Sequence, residues 1–99
     1  MAGHPRVYEL FEELANIHER KSMDYDGPDN PLASMRGAER FGISPWVGVM
    51  RRIDEKWGRA VNMVTAPAAT VDEAMVDTLK DIAVYAMIAI VLKEEEEGT

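Results

Sequence analysis

The spacing of apolar residues predicts helices along most of the chain. The first apolar stripe, with intervals of three or four residues, consists of Val7, Leu10, Leu14 and Ile17. Pro5 is a favoured first helical residue, so the first helix should begin there. It should end near Met23, because residues 24–31 are dense in turn-forming residues.

Two further helices are predicted in the middle of the chain. A short one is expected from Leu32 to Phe41, with Gly42 as its stop. Ser44 followed by Pro45 is typical of the N-cap and first residue of a third helix. The apolar positions of this helix are Trp46, Val49, Met50, Ile53, Trp57, Ala60, Val61 and Val64.

The fourth helix is predicted from Val71 to about Lys93 and carries the most apolar run of the chain, Ile82 to Leu92. A helix that is apolar all round must be covered on every side, which three other helices of a small domain can hardly do. We therefore expect a homo-oligomer held through this last helix. Glutamates at a helix C-terminus oppose the macrodipole, so residues 94–99 should form a disordered acidic tail on a single domain spanning residues 1–93.

The pattern contains neither the alternation of strands nor an internal repeat. We therefore predict an all-α fold, a small four-helix bundle-like domain of three longer helices and one short one.

Composition narrows the classes of function. The chain has no cysteine, which excludes a disulfide framework and a cysteine zinc site. Its net charge of −7 does not suit binding to duplex nucleic acid, which needs clustered cations. The run Ile82 to Leu92 is shorter than the ~20 residues that span a bilayer. We expect a cytoplasmic protein with neither a membrane nor duplex nucleic acid as partner.

An acidic stripe on the fourth helix is the first candidate for chemistry. Its acidic residues, Glu73, Asp77 and Asp81, recur every four residues, and Tyr85 continues the same spacing. Carboxylate oxygens suit Mg²⁺, and Asp81, at the mouth of the apolar run, needs a partner or a metal if it is partly buried. Glu13, near the apolar border of the first helix, is a further candidate ligand. The alternative is a solvated face on which Lys80 pairs with Asp77.

A basic stripe on the third helix is the second candidate. Arg52, Lys56 and Arg59 could hold phosphate groups, the arginines bidentately. The alternative is an exposed face partly neutralised by Asp54 and Glu55. If the basic and acidic stripes face each other, they form either a structural ion-pair ladder or a phosphate–metal site.

Lys21 occupies a position where the first stripe predicts an apolar residue. A buried lysine is costly unless it is paired, so Lys21 is a candidate ligand-binding cation. The alternative is an apolar stem with its ammonium in water.

Four groups of residues together resemble a known family. They are Lys21-x-x-Asp24-Tyr25, then Gly42-Ile43, then Arg52-Ile-Asp-Glu-Lys56-x-x-Arg59, and finally Glu73-x-x-x-Asp77-Thr-Leu-x-Asp81-Ile-Ala-x-Tyr85-Ala. The chain resembles the small phage and bacterial "nucleotide modification associated" domains, which are distantly similar to all-α nucleotide pyrophosphohydrolases of the MazG and dimeric dUTPase type. The resemblance implies an oligomeric all-α bundle that handles nucleotides and is often encoded by phages.

In those pyrophosphohydrolases an E-x-x-E helix and an E-x-x-D helix hold Mg²⁺ against a triphosphate. Here the late acidic motif is spaced by four residues, and Asp24-Tyr25-Asp26-Gly27 has one residue more than the family's Asp-Tyr-Gly.

The first interpretation is a phage-type nucleotide-binding protein of nucleotide metabolism, with Mg²⁺-dependent pyrophosphohydrolase activity as its enzymatic form. Phosphates would be held by Lys21, Arg52, Lys56 and Arg59, the base or ribose by Tyr25 or Tyr85, and Mg²⁺ by Glu73, Asp77, Asp81 and Glu13. The second interpretation is a phage sponge without catalysis, which sequesters nucleotide second messengers of host defence. A third is a helical adaptor whose charged stripes only hold the bundle together.

Overall fold

A computed structural model of the chain describes residues 2–65 and 71–98. Every regular element in these ranges is helical, which confirms the all-α class: α1 (Pro5–Asp26), a 3₁₀ helix (Ala33–Phe41), α2 (Pro45–Val64) and α3 (Val71–Gly98). The chain divides into two compact units, Met1–Ser34 and Met35–Thr99. The single domain over residues 1–93 stays a prediction.

Helix α1 makes up most of the first unit and begins at Pro5, as predicted. His4 acts as its N-cap, because its Nδ1 accepts a hydrogen bond from the backbone N–H of Arg6 at 3.0 Å. The helix ends at Asp26, almost one turn later than expected. Gly27 stops it there with a φ of 71°, a left-handed conformation that glycine adopts without strain.

The segment after α1 is closed by Asp26. Its two carboxylate oxygens accept hydrogen bonds from the backbone N–H of Ser34 at 2.8 Å and from the Ser34 hydroxyl at 3.2 Å. Asp26 is therefore the last residue of the helix and also binds Ser34, at the other end of the turn-rich segment. These hydrogen bonds explain why the helix extends beyond Met23.

The short helix, most of which belongs to the second unit, has 3₁₀ geometry and begins one residue later than predicted. Leu32 has a φ of 68° and so cannot be helical, which leaves Ala33 as the first residue. Gly42, with a φ of 72°, is the stop that was expected, and its N–H donates to the carbonyl of Glu39 at 3.0 Å.

Helices α2 and α3 pack against each other as an antiparallel hairpin. The start of α2 meets the end of α3, where Ser44 Oγ donates to Glu96 at 2.9 Å and the ammonium of Lys93 lies 4.8 Å from the centre of the Trp46 ring. Ser44 and Pro45 open α2 as predicted, but the Ser44 hydroxyl makes no capping bond and binds α3 instead.

A stripe from each helix forms the seam between them. Buried seam residues are Val49 and Ala60 of α2 and Thr78, Val84, Ile88 and Leu92 of α3, and half-buried ones are Ile53, Lys56, Met63, Ala74, Asp81 and Tyr85. Thr78, the buried polar member, satisfies its hydroxyl by donating to the carbonyl of Ala74 at 2.8 Å. The seam is thus apolar along most of its length and polar near the middle.

The apolar run Ile82 to Leu92 is therefore partly covered within the chain. Val84, Ile88 and Leu92 are buried, whereas Met87, Ile90 and Val91 are exposed. The expected covering of the run by another copy of the chain therefore concerns only its exposed half. The bundle arrangement and the oligomer stay predictions.

Helix α3 does not end near Lys93 but continues to Gly98. Contacts with both nearby and distant residues offset the unfavourable position of its glutamates at the helix end. Lys93 Nζ lies 2.6 Å from Glu97, and Arg36 of the 3₁₀ helix lies 2.6 Å from Glu95. The hydrogen bond to Glu97 raises the pKa of Lys93 above its usual range. The spacing of Thr70 and Glu73 predicts a capping box at the start of α3, but Thr70 lies outside the described residues.

The 3₁₀ helix packs closely on α2 at Gly48. A Cβ atom at this position would lie 2.7 Å from the Ala38 Cβ, whereas one at Gly58 of the same helix would meet open space. Glycine at position 48 is therefore required by the approach of the 3₁₀ helix.

Gly48→Ala should destabilise the protein, although alanine usually stabilises a helix interior by about 1 kcal/mol over glycine. The collision with Ala38 should outweigh that gain. Gly58→Ala is the matched control and should raise the melting temperature by a few degrees. Thermal unfolding followed by circular dichroism checks both, and a Gly48→Ala protein as stable as Gly58→Ala would contradict the packing described.

Candidate functional site

The structure brings one predicted cation and one predicted carboxylate together at the seam. Lys56 Nζ lies 3.1 Å from Asp81 Oδ2, and the two side chains are 30% and 24% exposed. Lys56 stands on the packed stripe of α2 between Ile53 and Ala60, so its ammonium is directed to α3. Because water reaches this pair only in part, salt screens it less than a surface pair.

Two arginines flank this ion pair on α2. Arg52 lies about one turn before Lys56 and Arg59 about one turn after it, and both are exposed. Each immediately precedes a seam residue, Ile53 in one case and Ala60 in the other. The three cations of the basic stripe therefore follow one edge of α2, with Lys56 at the seam and the arginines in water.

The acidic stripe follows the matching edge of α3. Glu73 precedes Ala74 and Asp77 precedes Thr78, and both carboxylates are exposed. Successive residues of an α-helix are about 100° apart around its axis. Because α2 and α3 run antiparallel, the residue that precedes a seam residue lies on the same side of the hairpin in both helices. Arg52, Arg59, Glu73 and Asp77 thus share one side of the hairpin, which we call the charged side. By the same rule Glu55, which precedes Lys56, and Lys80, which precedes Asp81, also lie on this side.

Tyr85 lies one turn after Asp81 at the seam and is half-buried. Its position along the helix axis is therefore close to that of the ion pair, and the hairpin partly covers its side chain. The charged side can offer cations to an anion, carboxylates to a cation and, at one edge, an aromatic ring.

Metal binding was the role predicted for the acidic stripe. Within residues 2–65 and 71–98, no group of three or more acidic or histidine side chains lies close enough to hold a metal ion. Glu73, Asp77 and Asp81 offer oxygen donors of the type that Mg²⁺ takes, but a metal at Asp81 would compete with the ammonium of Lys56.

Glu13 in the first unit has another partner. Its carboxylate accepts hydrogen bonds from Arg6 at 2.8 and 3.4 Å, and Arg6 also donates to Glu9 at 3.1 Å. The hydrogen bond to Glu13 is the main cause that raises the pKa of Arg6 above its usual value. This ion-pair network follows the surface of α1, where the sequence had indicated Glu13 as a candidate metal ligand and gave no role to Arg6.

The other candidates of the first unit are Lys21 and Tyr25, and both are exposed. Leu14 is buried and Ile17 half-buried, so the apolar stripe of α1 ends before Lys21. The role of Lys21 as a ligand-binding cation stays a prediction.

The cluster at the open end of the hairpin was missed by sequence reasoning. It consists of Arg36, Ser44, Trp46, Lys93, Glu95 and Glu96. The spacing of Lys93 and Glu97 was a usable signal for a continued helix. Nothing in the local sequence indicates that Arg36 would meet Glu95, because the contact depends on the hairpin.

Comparisons with known proteins leave the resemblance untested. No known family matches the sequence. Neither curated proteins nor solved structures show a significant similarity to the chain. In the part of the chain that the structure describes, no helix is long and apolar enough to cross a membrane.

Lys56→Met and Asp81→Asn should each lower the free energy of unfolding by about 1–3 kcal/mol, because each leaves the partner's charge partly desolvated. The double variant should lose less than the sum of the two losses. Urea unfolding of the four proteins gives the coupling energy. Arg52→Met is the matched control, and its exposed site predicts a change within ~0.5 kcal/mol. Additive losses would mean that the pair contributes nothing to stability.

Proposed function

We propose that the protein binds a nucleotide, or another small molecule that carries phosphate, on the charged side of the α2–α3 hairpin. The observation that supports the proposal is the half-buried Lys56–Asp81 pair with Arg52 and Arg59 within about one turn on either side. Three cations in a row match a chain of phosphates, and each arginine offers a planar pair of donors to phosphate oxygens.

The side chains have distinct roles in this proposal. Arg52 and Arg59 are exposed and ready to bind, whereas Lys56 is held in place by Asp81. A phosphate at Lys56 gains a cation whose position is already fixed, which reduces the entropy lost on binding. Tyr85 is proposed to contact the base or ribose. Lys21 and Tyr25 belong to the other unit and stay predictions on their own.

The enzymatic form of the proposal is a Mg²⁺-dependent (d)NTP pyrophosphohydrolase. Glu73, Asp77 and Asp81 would hold the metal, and Glu13, engaged by Arg6, stays a prediction for the same role. When bound, Mg²⁺ would neutralise charge on the phosphate oxygens. The chain's own cations would orient the phosphates.

The second candidate is a binder without catalysis, which sequesters a nucleotide second messenger of host defence in an infected bacterial cytoplasm. The Lys56–Asp81 pair favours this form, because the carboxylate already balances a cation and needs no metal. Both forms include a homo-oligomer held in part by the exposed residues of the last helix.

Arg59→Ala should weaken the binding of any nucleotide that the wild type binds by about tenfold or more, because a charge-assisted phosphate contact is lost. Arg51→Ala is the matched control: Arg51 is exposed on the same helix but pairs with Asp54 at 2.9 Å. Isothermal titration calorimetry with a panel of nucleotides measures both. Equal affinities for wild type and Arg59→Ala would assign the basic stripe to structure alone.

Mg²⁺ separates the enzyme from the binder. If the acidic stripe holds Mg²⁺, the metal should raise the melting temperature of the wild type in the presence of nucleotide, and pyrophosphate should be released. Asp81→Asn should then abolish both effects. If the stripe only balances cations, nucleotide should stabilise the protein equally with Mg²⁺ or with EDTA, without turnover. The absence of nucleotide binding in both conditions would remove both forms of the proposal.

A further inference from the structure

The three cations of α2 match a chain of phosphates in number, but a carboxylate lies among them. Glu55 is on the charged side, three residues after Arg52 and four residues before Arg59. Residues at these spacings are neighbours on one face of a helix. The charged side of α2 therefore carries a cation, a carboxylate and a second cation in succession, and all three side chains are exposed.

The carboxylate of Glu55 faces the solvent between the two arginines. It lies 3.8 Å from the guanidinium of Arg51, which is too far for a hydrogen bond, and Arg51 donates instead to Asp54 at 2.9 Å. The side chain of Glu55 is 63% exposed. Its negative charge is therefore presented to any ligand that reaches from one arginine of the charged side to the other.

The spacing of Arg52 and Arg59 limits the kind of anion that can use both. The two residues are about 10 Å apart along the helix axis, because they are seven positions apart. The phosphates of a nucleoside di- or triphosphate are joined through single bridging oxygens and stay close together. Such a chain, laid between the arginines, would bring its charge onto Glu55, and like charges brought together weaken binding. Contiguous phosphates therefore fit this surface poorly unless a metal ion accompanies them.

Helix α3 presents different chemistry to the two arginines. The register set by the ion pair at the seam places Arg59 at about the same height as Asp77, roughly one turn toward the end of α2. Arg52, roughly one turn in the other direction, lies beside the uncharged run Ile82 to Leu92, in which Met87 is exposed. A carboxylate can accept hydrogen bonds from hydroxyl and amino groups, and an apolar run can cover part of a base. The surface thus suits a ligand that places nucleoside groups, as well as phosphates, along its length.

We propose that the ligand is a dinucleotide with two separate phosphate groups, one bound by Arg52 and the other by Arg59, and that Glu55 selects it over contiguous polyphosphates. This inference rests on the proposed function, in its form without catalysis, and names the class of ligand. A whole nucleoside separates the two phosphates of a dinucleotide, and its hydroxyl and amino groups are hydrogen-bond donors for Glu55. Lys56, which Asp81 holds between the arginines, adds positive charge near both phosphates.

Isothermal titration calorimetry of the full chain in EDTA compares three probes for each of the four common bases: a linear 5′-phosphorylated dinucleotide, a cyclic dinucleotide and a nucleoside triphosphate. The linear dinucleotide has one phosphate monoester and one diester, and the cyclic one has two diesters, so these two arms separate the two sources of the shared chemistry. The wild type should bind at least one dinucleotide about tenfold more tightly than the triphosphate of the same base. A triphosphate that binds as tightly as both dinucleotides would overturn the inference.

Glu55→Gln tests the carboxylate, because it keeps the shape of the side chain and removes its charge. It should strengthen the binding of the triphosphate about tenfold and change the affinity for the dinucleotide by less than about twofold. Glu94→Gln is the matched control, since it removes the same charge from an exposed residue near the end of α3, and it should leave every affinity unchanged. Equal gains in the two variants would assign the effect to net charge and contradict the role of Glu55, as would an unchanged affinity of Glu55→Gln for the triphosphate.

The same titrations separate this inference from the proposed function. Dinucleotide binding that Arg52→Ala and Arg59→Ala each weaken about tenfold would support both. A preference for the triphosphate in EDTA, weakened by Arg59→Ala, would support the proposed function and refute the dinucleotide. Absence of binding by all three probes, in EDTA and with Mg²⁺, would refute both.

Discussion

The antiparallel register of α2 and α3 is the constraint on which the second unit depends. Apolar packing at Val49, Ala60, Ile88 and Leu92 is strong but has no direction, so it does not by itself select one register. The Lys56–Asp81 pair does, because a sliding motion would leave two charges partly desolvated and unpaired. We infer that apolar burial holds the helices together and that the ion pair determines how they are aligned.

This register gives the hairpin two unlike sides. Residues one position before the seam are largely charged on α2, and residues one position after it are largely apolar. A rotation of either helix by about 200° about its axis would exchange these two surfaces. The seam therefore determines which residues lie on the charged side. The half-buried cation at position 56 belongs to the seam and borders the charged side, so the ligand binding that we propose would involve a residue that also stabilises the hairpin.

The helices were predictable from local signals, and their contacts were not. Pro5, Gly42 and the Ser44–Pro45 pair indicated element boundaries correctly, because capping and turn chemistry act over a few residues. The end of α3 was misjudged because Glu95 is held by Arg36, a residue far away in the chain. The stripes of charge were visible at helical spacing, but only the packed hairpin shows that Lys56 is the cation that reaches Asp81.

The ion pairs of the hairpin close loops of very different length. Lys56 and Asp81 enclose a short stretch of chain, whereas Arg36 and Glu95 are 59 residues apart. Closing a longer loop costs more chain entropy, so the pair nearer to the connection should form first during folding, and the contacts at the open end last. The same order in reverse makes the end of α3 the place where the hairpin opens first. Amide hydrogens there should exchange with solvent faster than those beside Asp81.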